Sequence, residues 1–548
     1  MTGEALQAIQ KQEQERWGAL EDRILCCTVA GCLAGGAGRV RAAIEREIVA
    51  QGQAGKSEVC GTGCLGLCCE GPLVRSSSAG AVFSNVTPHD AQALVARDYS
   101  AFEGRTLKPD HPFYAGQRRM ILANSGYTDP ERFADYVARG GYRSLLRAAT
   151  EMAPEEIVAE VKRSKLRGRG GAGYPAGLKW ELVARQPAGP KYVVCNADEG
   201  DPGAFMNRSV LEGDPHRVLE GMAIAGRAVG AKQGYVYARG ESPLAIERLR
   251  TALAQAQAAG LLGGRMFESD FQFRIDLRIG AGAYVCGEET ALLASIEGKR
   301  GQPVPRPPYP PERGLWGSPT LINNVETFAN IPEIIERGGE WFASIGSPAS
   351  PGTKVFALAG RVKRTGLVEV PIGTPLRTIL NELGGGVPAG YQFKAAQTGG
   401  PAGGCIPAQY LDLPMDYDSL TAIGTMMGSG GLIVMDTSSC MVDLARFFME
   451  FCMDESCGKC VPCRAGTVQM HGILDRMTRG EGDENDFAIL QELCGLLKET
   501  SLCGLGLAAP NPVVSTLRHF RDEYEAHVRE RRCPAGHCLM PVPEEVIA

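Results

Sequence analysis

The sequence predicts a multidomain α/β protein with a cysteine-bearing unit towards each end. Three observations predict it. At 548 residues, the chain is too long for one hydrophobic core and corresponds to roughly three or four domains. Through its middle, apolar strand-like runs alternate with helical stretches, which implies a sheet with helices packed on it. The third observation is nineteen cysteines, most of them grouped near the two ends, in a chain whose N-terminus lacks the apolar core of a secretory signal.

Residues 1–22 are polar with helical spacing. From 23 to 95, ILCCTVAGCLA reads as a strand entering a cysteine loop, followed by a helix over 38–51, a second cysteine loop over 60–69 and a strand at PLVRSSS. The stretch 96–165 is charged and mainly helical, with a helix start at Pro154-Glu-Glu. In 166–350 the strands are KYVVCNADE, KQGYVYAR and DFQFRIDLRIG, and the helices HRVLEGMAIAGRAVG and ETALLASIEG. The Pro-rich segment 301–311 must be extended, because proline removes a helical donor. Residues 351–438 form an α+β module of short strands with one helix, TPLRTILNEL. Helical spacing dominates 439–548, which reads as a small bundle.

Composition narrows the class. Apolar residues at 44% suit ordinary globular folding, and no run reaches the length of a spanning helix. A net charge of −6 argues against nucleic acid as the main partner. Cysteines without a signal peptide point to metal ligation in a reducing compartment, and a cytoplasmic location is expected.

Cys457, Cys460 and Cys463 follow C-x2-C-x2-C spacing, and Cys503 arrives from a later segment. A compact thiol triplet with one distant fourth suits an iron–sulfur cluster, whereas zinc sites usually pair two separate C-x2-C knuckles. Near the N-terminus, Cys27 and Cys32 form a C-x4-C pair and Cys64 and Cys68 a C-x3-C pair. Two pairs on two loops suit a 2Fe–2S centre, with zinc as the rival and Cys26, Cys60 and Cys69 as competing ligands. Cys533 and Cys538 are a single pair, read as a tail remnant or surface thiols.

The run Gly168-Arg-Gly170-Gly-Ala-Gly173 satisfies G-x-G-x-x-G, but a charged helical stretch precedes it where a dinucleotide fold needs a buried strand. Lys179 follows within reach of a phosphate, and backbone N–H groups at a helix start attract phosphate in any fold. Asn196-Ala-Asp198-Glu199 closes a strand, Gly287-Glu288-Glu289 opens a helix, and Asn323-Asn324 is placed in a further loop. Polar groups at strand ends are where α/β sheets bind ligands, so these segments read together as a nucleotide pocket.

RGRGGAGYPAGLKW, NADEGDPGAF, GAGAYVCGEETALLASIEG, SPTLINNVETFANI and ESCGKCVPCRAGT together resemble the NADH-binding flavoprotein subunit of respiratory complex I. The resemblance extends to the diaphorase subunits of NAD-linked hydrogenases and formate dehydrogenases, and covers roughly residues 115–535. CCTVAGC and TGCLGLC look like the thioredoxin-like 2Fe–2S domain fused to this core in the soluble enzymes. The resemblance implies a thioredoxin-like 2Fe–2S domain at 23–95 and a Rossmann-like FMN- and NAD(H)-binding domain at 166–350. It further implies a β-grasp (SLBB-like) module at 351–438 and a four-helix-type bundle carrying a 4Fe–4S cluster at 439–548.

The implied FMN contacts are Gly168, Gly170, Lys179, Asn196, Asp198, Tyr284, Gly287, Glu288, Asn323, Asn324 and Thr327. The implied NAD contacts are Tyr174, Asp201, Glu289, Arg306 and Tyr309. Leu182 stands where complex I has a second aromatic. The reaction the resemblance implies passes hydride between nicotinamide and flavin with no protein nucleophile, and Glu199 and Asp201 are expected to hold ribose or amide groups. The expected partners are a small 2Fe–2S subunit, a ferredoxin-like relay subunit, and a NiFe-hydrogenase or formate dehydrogenase catalytic module. The resemblance favours the diaphorase of a bidirectional NAD-reducing hydrogenase over a formate dehydrogenase β subunit or a complex I subunit. A zinc-stabilised nucleotide-binding scaffold is the reading from a different class.

Overall fold

A computed structural model describes residues 1–540; positions 541–548, the end of the expected 439–548 unit, lie outside the described residues. The polar leader is helix α1 (Gly3–Gly18), capped by Thr2 and burying only Leu6 and Glu13. A five-stranded mixed sheet follows, built from β1 (Asp22–Cys27), β2 (Ser57–Thr62), β3 (Val74–Ser76), β4 (Ala81–Phe83) and β5 (Thr106–Leu107), with helix α2 (Ala37–Ala50) between β1 and β2. The strand order is β2-β1-β3-β4-β5, and only β1 and β2 run parallel. Side chains alternate across a strand, so Ile24 and Cys26 pack with Val40, Ile44 and Ile48 of α2, while Cys27 faces the other side. β5 comes from the stretch expected to be helical, and it extends this sheet past residue 95 by pairing with the exposed edge of β4. The linker's last helix, α3 (Pro154–Arg163), starts at the expected proline, and Glu156 accepts the Ala153 N–H at 2.8 Å.

Next come α4 (Ala176–Ala184), β6 (Tyr192–Ala197), α5 (Met206–Gly213), α6 (Pro215–Val229), β7 (Gln233–Arg239), α7 (Pro243–Ala258), β8 (Arg274–Gly280), α8 (Glu289–Ile296), β9 (Thr320–Asn324) and α9 (Val325–Arg337). Their sheet is wholly parallel, in the order β8-β7-β6-β9. Helices cover both faces, which is why β6 and β7 read as continuous apolar runs. Val193, Cys195 and Val236 belong to the core that includes α6, and Val194, Tyr235 and Tyr237 pack with Leu292 and Ile296 of α8. The chain lays strands outward from β6 to β8, then returns to place β9 on the other side of β6. A crevice opens at such a reversal, at the carboxyl ends of the strands.

The α+β module is a second five-stranded sheet: β10 (Thr353–Gly360), β11 (Gly366–Pro371), β12 (Phe393–Thr398), β13 (Cys405–Pro407) and β14 (Gly431–Asp436), ordered β11-β10-β14-β12-β13. TPLRTILNEL is a wide π-type turn over Thr378–Leu383 rather than a regular helix. The bundle comprises α10 (Met441–Asp454), α11 (Val461–Thr478), α12 (Asn485–Thr500), α13 (Asn511–His519) and α14 (Arg521–Arg529) around Met449, Leu474, Leu490 and Tyr524. Among the described residues, no helix is long and apolar enough to cross a membrane.

Buried polar groups lock these units together. Lys354 on β10 forms a fully buried ion pair with Glu326 of α9. Glu369 on β11 accepts the backbone N–H groups of Met120, Ile121 and Leu122, each at 2.9 Å. The second cysteine loop of the N-terminal unit is gripped by glycines. Gly66 carbonyl accepts Leu367 N–H at 2.8 Å, and a Cβ on Gly366 would lie 1.8 Å from that same oxygen. Gly366→Ala should therefore cost at least about 1–3 kcal/mol through overpacking and loosen residues 60–69, read as a lower thermal midpoint and faster proteolysis of that loop. Gly495→Ala, on α12 with nothing within 4 Å of the added carbon, should instead stabilise by about 0.5–1 kcal/mol. If the two variants behaved alike, the interdomain glycine contact would have no energetic role.

Candidate cofactor cradle and metal centres

The crevice lies between β6 and β9. In register, Cys195 faces Asn323 and Asn196 faces Asn324, so both amides stand at the carboxyl end of the sheet. Asn323 and Asn324 are therefore strand residues and not loop residues as expected. The β-branched and apolar Thr320, Leu321 and Ile322 fill the buried core beside β6, and Asn324 accepts Glu326 N–H at 2.9 Å to cap α9. Asn196 donates to Gly287 carbonyl at 2.8 Å and accepts Asp198 N–H at 3.1 Å. Trp180 donates to Asn323 at 2.9 Å. These bonds fix the floor of the crevice.

One wall is the glycine loop, which follows helix α3 and not a strand. Arg169 N–H donates to Thr327 Oγ1 at 2.9 Å, and Gly168 carbonyl accepts from Tyr417 at 2.9 Å. A Cβ on Gly170 would stand 3.2 Å from Asn324, and one on Gly173 would enter the Tyr417 ring at 2.6 Å. At Gly168 and Gly287 the nearest atoms would be 3.4 Å and 3.6 Å away. The chain's own packing leaves room for a side chain at these two positions. Glycine there keeps the backbone open to a ligand.

The opposite wall is the turn Tyr284–Gly287 with Glu288, which caps α8 by accepting Thr290 and Ala291 N–H groups. Tyr284 hydroxyl donates to Asp201 at 2.6 Å, and Ser429 donates to the other Asp201 oxygen at 3.1 Å. Asp198 pairs with Arg239 at 3.2 Å, while its second oxygen is buried with no partner. Burial pushes Asp198 up to about 7 against the pull of Arg239. Both Glu199 oxygens accept first-turn N–H groups of α5, from Asn207 and Arg208 at 2.9 Å each, so the carboxylate expected to hold ribose or amide groups also caps this helix.

At the mouth, the five positions expected on the NAD side separate into two sets: Tyr174, Glu289, Arg306 and Tyr309 converge around Lys179, while Asp201 lies against Tyr284. Lys179 donates to Glu289 at 2.5 Å and to Ile322 carbonyl at 3.2 Å. Arg306 approaches the other Glu289 oxygen at 3.7 Å. Tyr174 and Tyr309 are exposed beside this charge cluster, and Leu182 is exposed as well.

Cys457, Cys460, Cys463 and Cys503 line one small cavity with Val285, Pro303, Lys459, Leu502 and Leu505. Cys460 and Cys503 each stand just before a helix. Burial raises Cys503, and the N–H groups of Leu505 and Gly506 oppose that rise. Lys459 donates to Pro303 carbonyl at 2.6 Å, and Arg464 to Gly458 carbonyl at 2.5 Å. Tyr284 ties this site to the crevice. Its N–H donates to Glu455 at 3.0 Å, and its ring packs edge-on to Phe451 at 5.0 Å.

At the N-terminal unit, the buried Cys27 thiol lies against those of Cys32 and Cys64, and the Cys64 and Cys68 sulfurs are 3.6 Å apart. The competing thiols point away. Cys26 faces α2 and is pushed up to about 12 by burial. Cys60 lies beside Arg23, and Cys69 is exposed against Lys363 carbonyl.

With that geometry in view, three family models match: the Nuo51 FMN-binding domain over 161–333, the SLBB domain over 355–405, and the NADH-ubiquinone oxidoreductase-F iron-sulfur binding region over 443–527. The F 2 subunit of the Rhizobium meliloti NADH-quinone oxidoreductase is 48% identical over 76% of this chain and 99% of its own length. The chain belongs to the F-subunit family of NADH-quinone oxidoreductases. NADP-reducing hydrogenase subunit HndC of Solidesulfovibrio fructosivorans is 55% identical over 77% of this chain and 86% of its own length. A crystal structure of an NAD+-reducing NiFe hydrogenase in the H2-reduced state matches with a TM-score of 0.67 and 28% identity, covering 96% of this chain and 90% of that one. This family member is a flavin and iron–sulfur oxidoreductase subunit of the hydrogenase or complex I type.

In this F-subunit homologue, the floor and both walls coincide with the FMN-binding match, and all four cavity cysteines fall inside the iron–sulfur match. Sequence reasoning missed Arg239, Tyr417 and Ser429, which lie far from the motifs and reach the crevice only through tertiary packing. The glycine cluster 399–404 was the available signal, since Gly400 closes directly on Asp201. Cys533 and Cys538 are also not surface thiols. They fold back onto Cys440 and His527, the four ligand atoms lying within 4.8 Å of one another, and no local spacing announces a partner so far upstream.

Asp198 sets a pH dependence. Because its folded pKa is raised, the folded protein holds a proton that the unfolded chain releases near about 3.9. Its contribution to stability is complete below that value and is lost as pH rises through about 7. In flavin-stripped protein, Asp198→Asn should flatten the fall in thermal midpoint between about pH 5 and pH 7.5. An unchanged slope would remove Asp198 as its source.

Proposed function

We propose that this subunit is the diaphorase of a bidirectional NAD-reducing hydrogenase, passing electrons between NAD(H), FMN and iron–sulfur clusters. The observation that carries the reading is the Tyr284 turn, which touches the crevice with one face and the four-cysteine domain with the other. FMN fits the crevice chemically: Asp198 offers an unpartnered buried oxygen, and Gly168 and Gly287 leave the backbone open. An all-thiol donor set fits an iron–sulfur cluster at Cys457, Cys460, Cys463 and Cys503. When bound, the flavin supplies the exchange between two-electron hydride chemistry and single-electron transfer.

The chain's own residues provide position. Asn196, Asn323 and Asn324 hold the floor, and Asp201, fixed by Tyr284 and Ser429, presents a carboxylate toward the crevice. Tyr174 and Tyr309 offer aromatic faces for a nicotinamide dinucleotide. Lys179 and Arg306 hold Glu289 in place, and such fixed orientation supplies much of a hydride transfer's rate. The four N-terminal thiols support a 2Fe–2S centre on Cys27, Cys32, Cys64 and Cys68, in a thioredoxin-like unit. That unit resembles the domain fused to this core in the soluble enzymes and so favours a soluble assembly, while the relatives favour a hydrogenase.

Cys460→Ala should leave NADH-dependent flavin reduction largely intact and slow electron transfer to the partner subunits on the order of tenfold or more. Unchanged transfer to the partner would mean that this cluster is not the flavin's exit. In the native complex, dihydrogen should reduce NAD; reduction by formate and not dihydrogen would reassign the subunit to a formate dehydrogenase.

A further inference from the structure

The C-terminal tail completes a third group of candidate metal ligands, separate from the two cysteine sets described above. Cys440 sits just ahead of α10 and is buried; its sulfur accepts Asp443 N–H at 3.4 Å. His527 on α14 is fully buried, and its Nδ1–H donates to Glu523 carbonyl at 2.7 Å. That bond fixes the tautomer and leaves the Nε2 lone pair aimed at Cys440 Sγ, 3.4 Å away. Beyond α14 the chain has no regular secondary structure among the described residues, and Leu539 is almost wholly exposed. Cys533 and Cys538 nevertheless turn inward, across a bend at Gly536. Cys538 Sγ comes within 3.6 Å of Cys440 Sγ.

These spacings fit one ion. With zinc–sulfur bonds of about 2.3 Å, a tetrahedral sulfur–sulfur edge is about 3.8 Å. A four-iron cube puts each thiolate on a different iron and spreads its ligands wider. The hydrogen bond from the far side of the imidazole and the backbone N–H on the Cys440 sulfur are the outer-shell contacts that metal ligands require. Three of the four residues, Cys440, Cys533 and Cys538, lie outside the family's iron–sulfur segment of 443–527. α10, with its 14 residues, separates this set from Cys457 by about 20 Å.

We propose that Cys440, His527, Cys533 and Cys538 bind a single tetrahedral zinc ion, distinct from the four-cysteine cluster. The ion ties the irregular tail to the start of α10 and the end of α14. It also stabilises a junction with the neighbouring sheet, where Lys394 of β12 pairs with Glu523 at 2.5 Å and Glu523 accepts Met441 N–H at 3.1 Å. The site has closed, four-residue ligation, so its role is structural and carries no electron.

The test uses the full-length chain, purified anaerobically with its clusters, and measures zinc and iron together. About one zinc per chain is expected, lost in a Cys533→Ser, Cys538→Ser double variant whose iron and flavin contents match the unaltered protein. Zinc-edge X-ray absorption on the unaltered protein needs no variant. It should show three sulfurs at about 2.3 Å and one nitrogen at about 2.0–2.1 Å. Zinc missing from the unaltered protein, zinc surviving the double variant, or iron in a sulfur–nitrogen environment in its place would each overturn the proposal.

Discussion

The arrangement depends on one short turn. Residues 284–287 must reach the crevice at the switch in strand order and also meet the helix that leads into the cysteine triplet. Tyr284 does both, through its hydroxyl on Asp201, its N–H on Glu455 and its ring on Phe451. Each contact alone is worth about a kcal/mol. Together they fix the distance between cradle and cluster site, which are encoded in segments well separated in sequence. Burial raises the Asp201 carboxyl, so the bonds from Tyr284 and Ser429 also offset the desolvation of that group.

The neighbouring sheet is a scaffold for the same crevice. Tyr417 holds the glycine loop at Gly168, Gly428 packs on Gly171, and the buried Lys354–Glu326 pair links β10 to the helix that carries Thr327. Breaking one partner of a buried pair strands the other charge, so the geometry is retained strongly even where the pair itself adds little net stability. Glycine acts at these seams for a steric reason. At Gly366 and Gly221 a single Cβ would enter a facing carbonyl oxygen.

Much of this was legible in the sequence, and the exceptions have physical causes. β6 and β7 of the parallel sheet were readable because burial on both faces makes them nearly uninterrupted apolar runs. The short β9 was not, because its two asparagines look like loop residues when their partners on β6 are unknown. The cysteine triplet was readable because its ligands are local. The set formed by Cys440, His527, Cys533 and Cys538 was not, since a site assembled from distant segments leaves only an unremarkable pair in sequence. Among the seven N-terminal thiols, the choice between Cys26 and Cys27 depended on which face of β1 each occupies. That became visible only when Cys26 was found against α2 and Cys27 on the opposite side. Glu199 shows the converse, a carboxylate in a motif whose hydrogen bonds are used for capping.

The central claim is that one chain joins a flavin cradle to thiol sites that carry iron and sulfide. Flavin, iron and acid-labile sulfide measured together on the anaerobically purified chain test it most directly. The account predicts one flavin, with about six irons and about six sulfides for one four-iron and one two-iron cluster. A colourless protein with zinc at Cys457, Cys460, Cys463 and Cys503 and no flavin would contradict it.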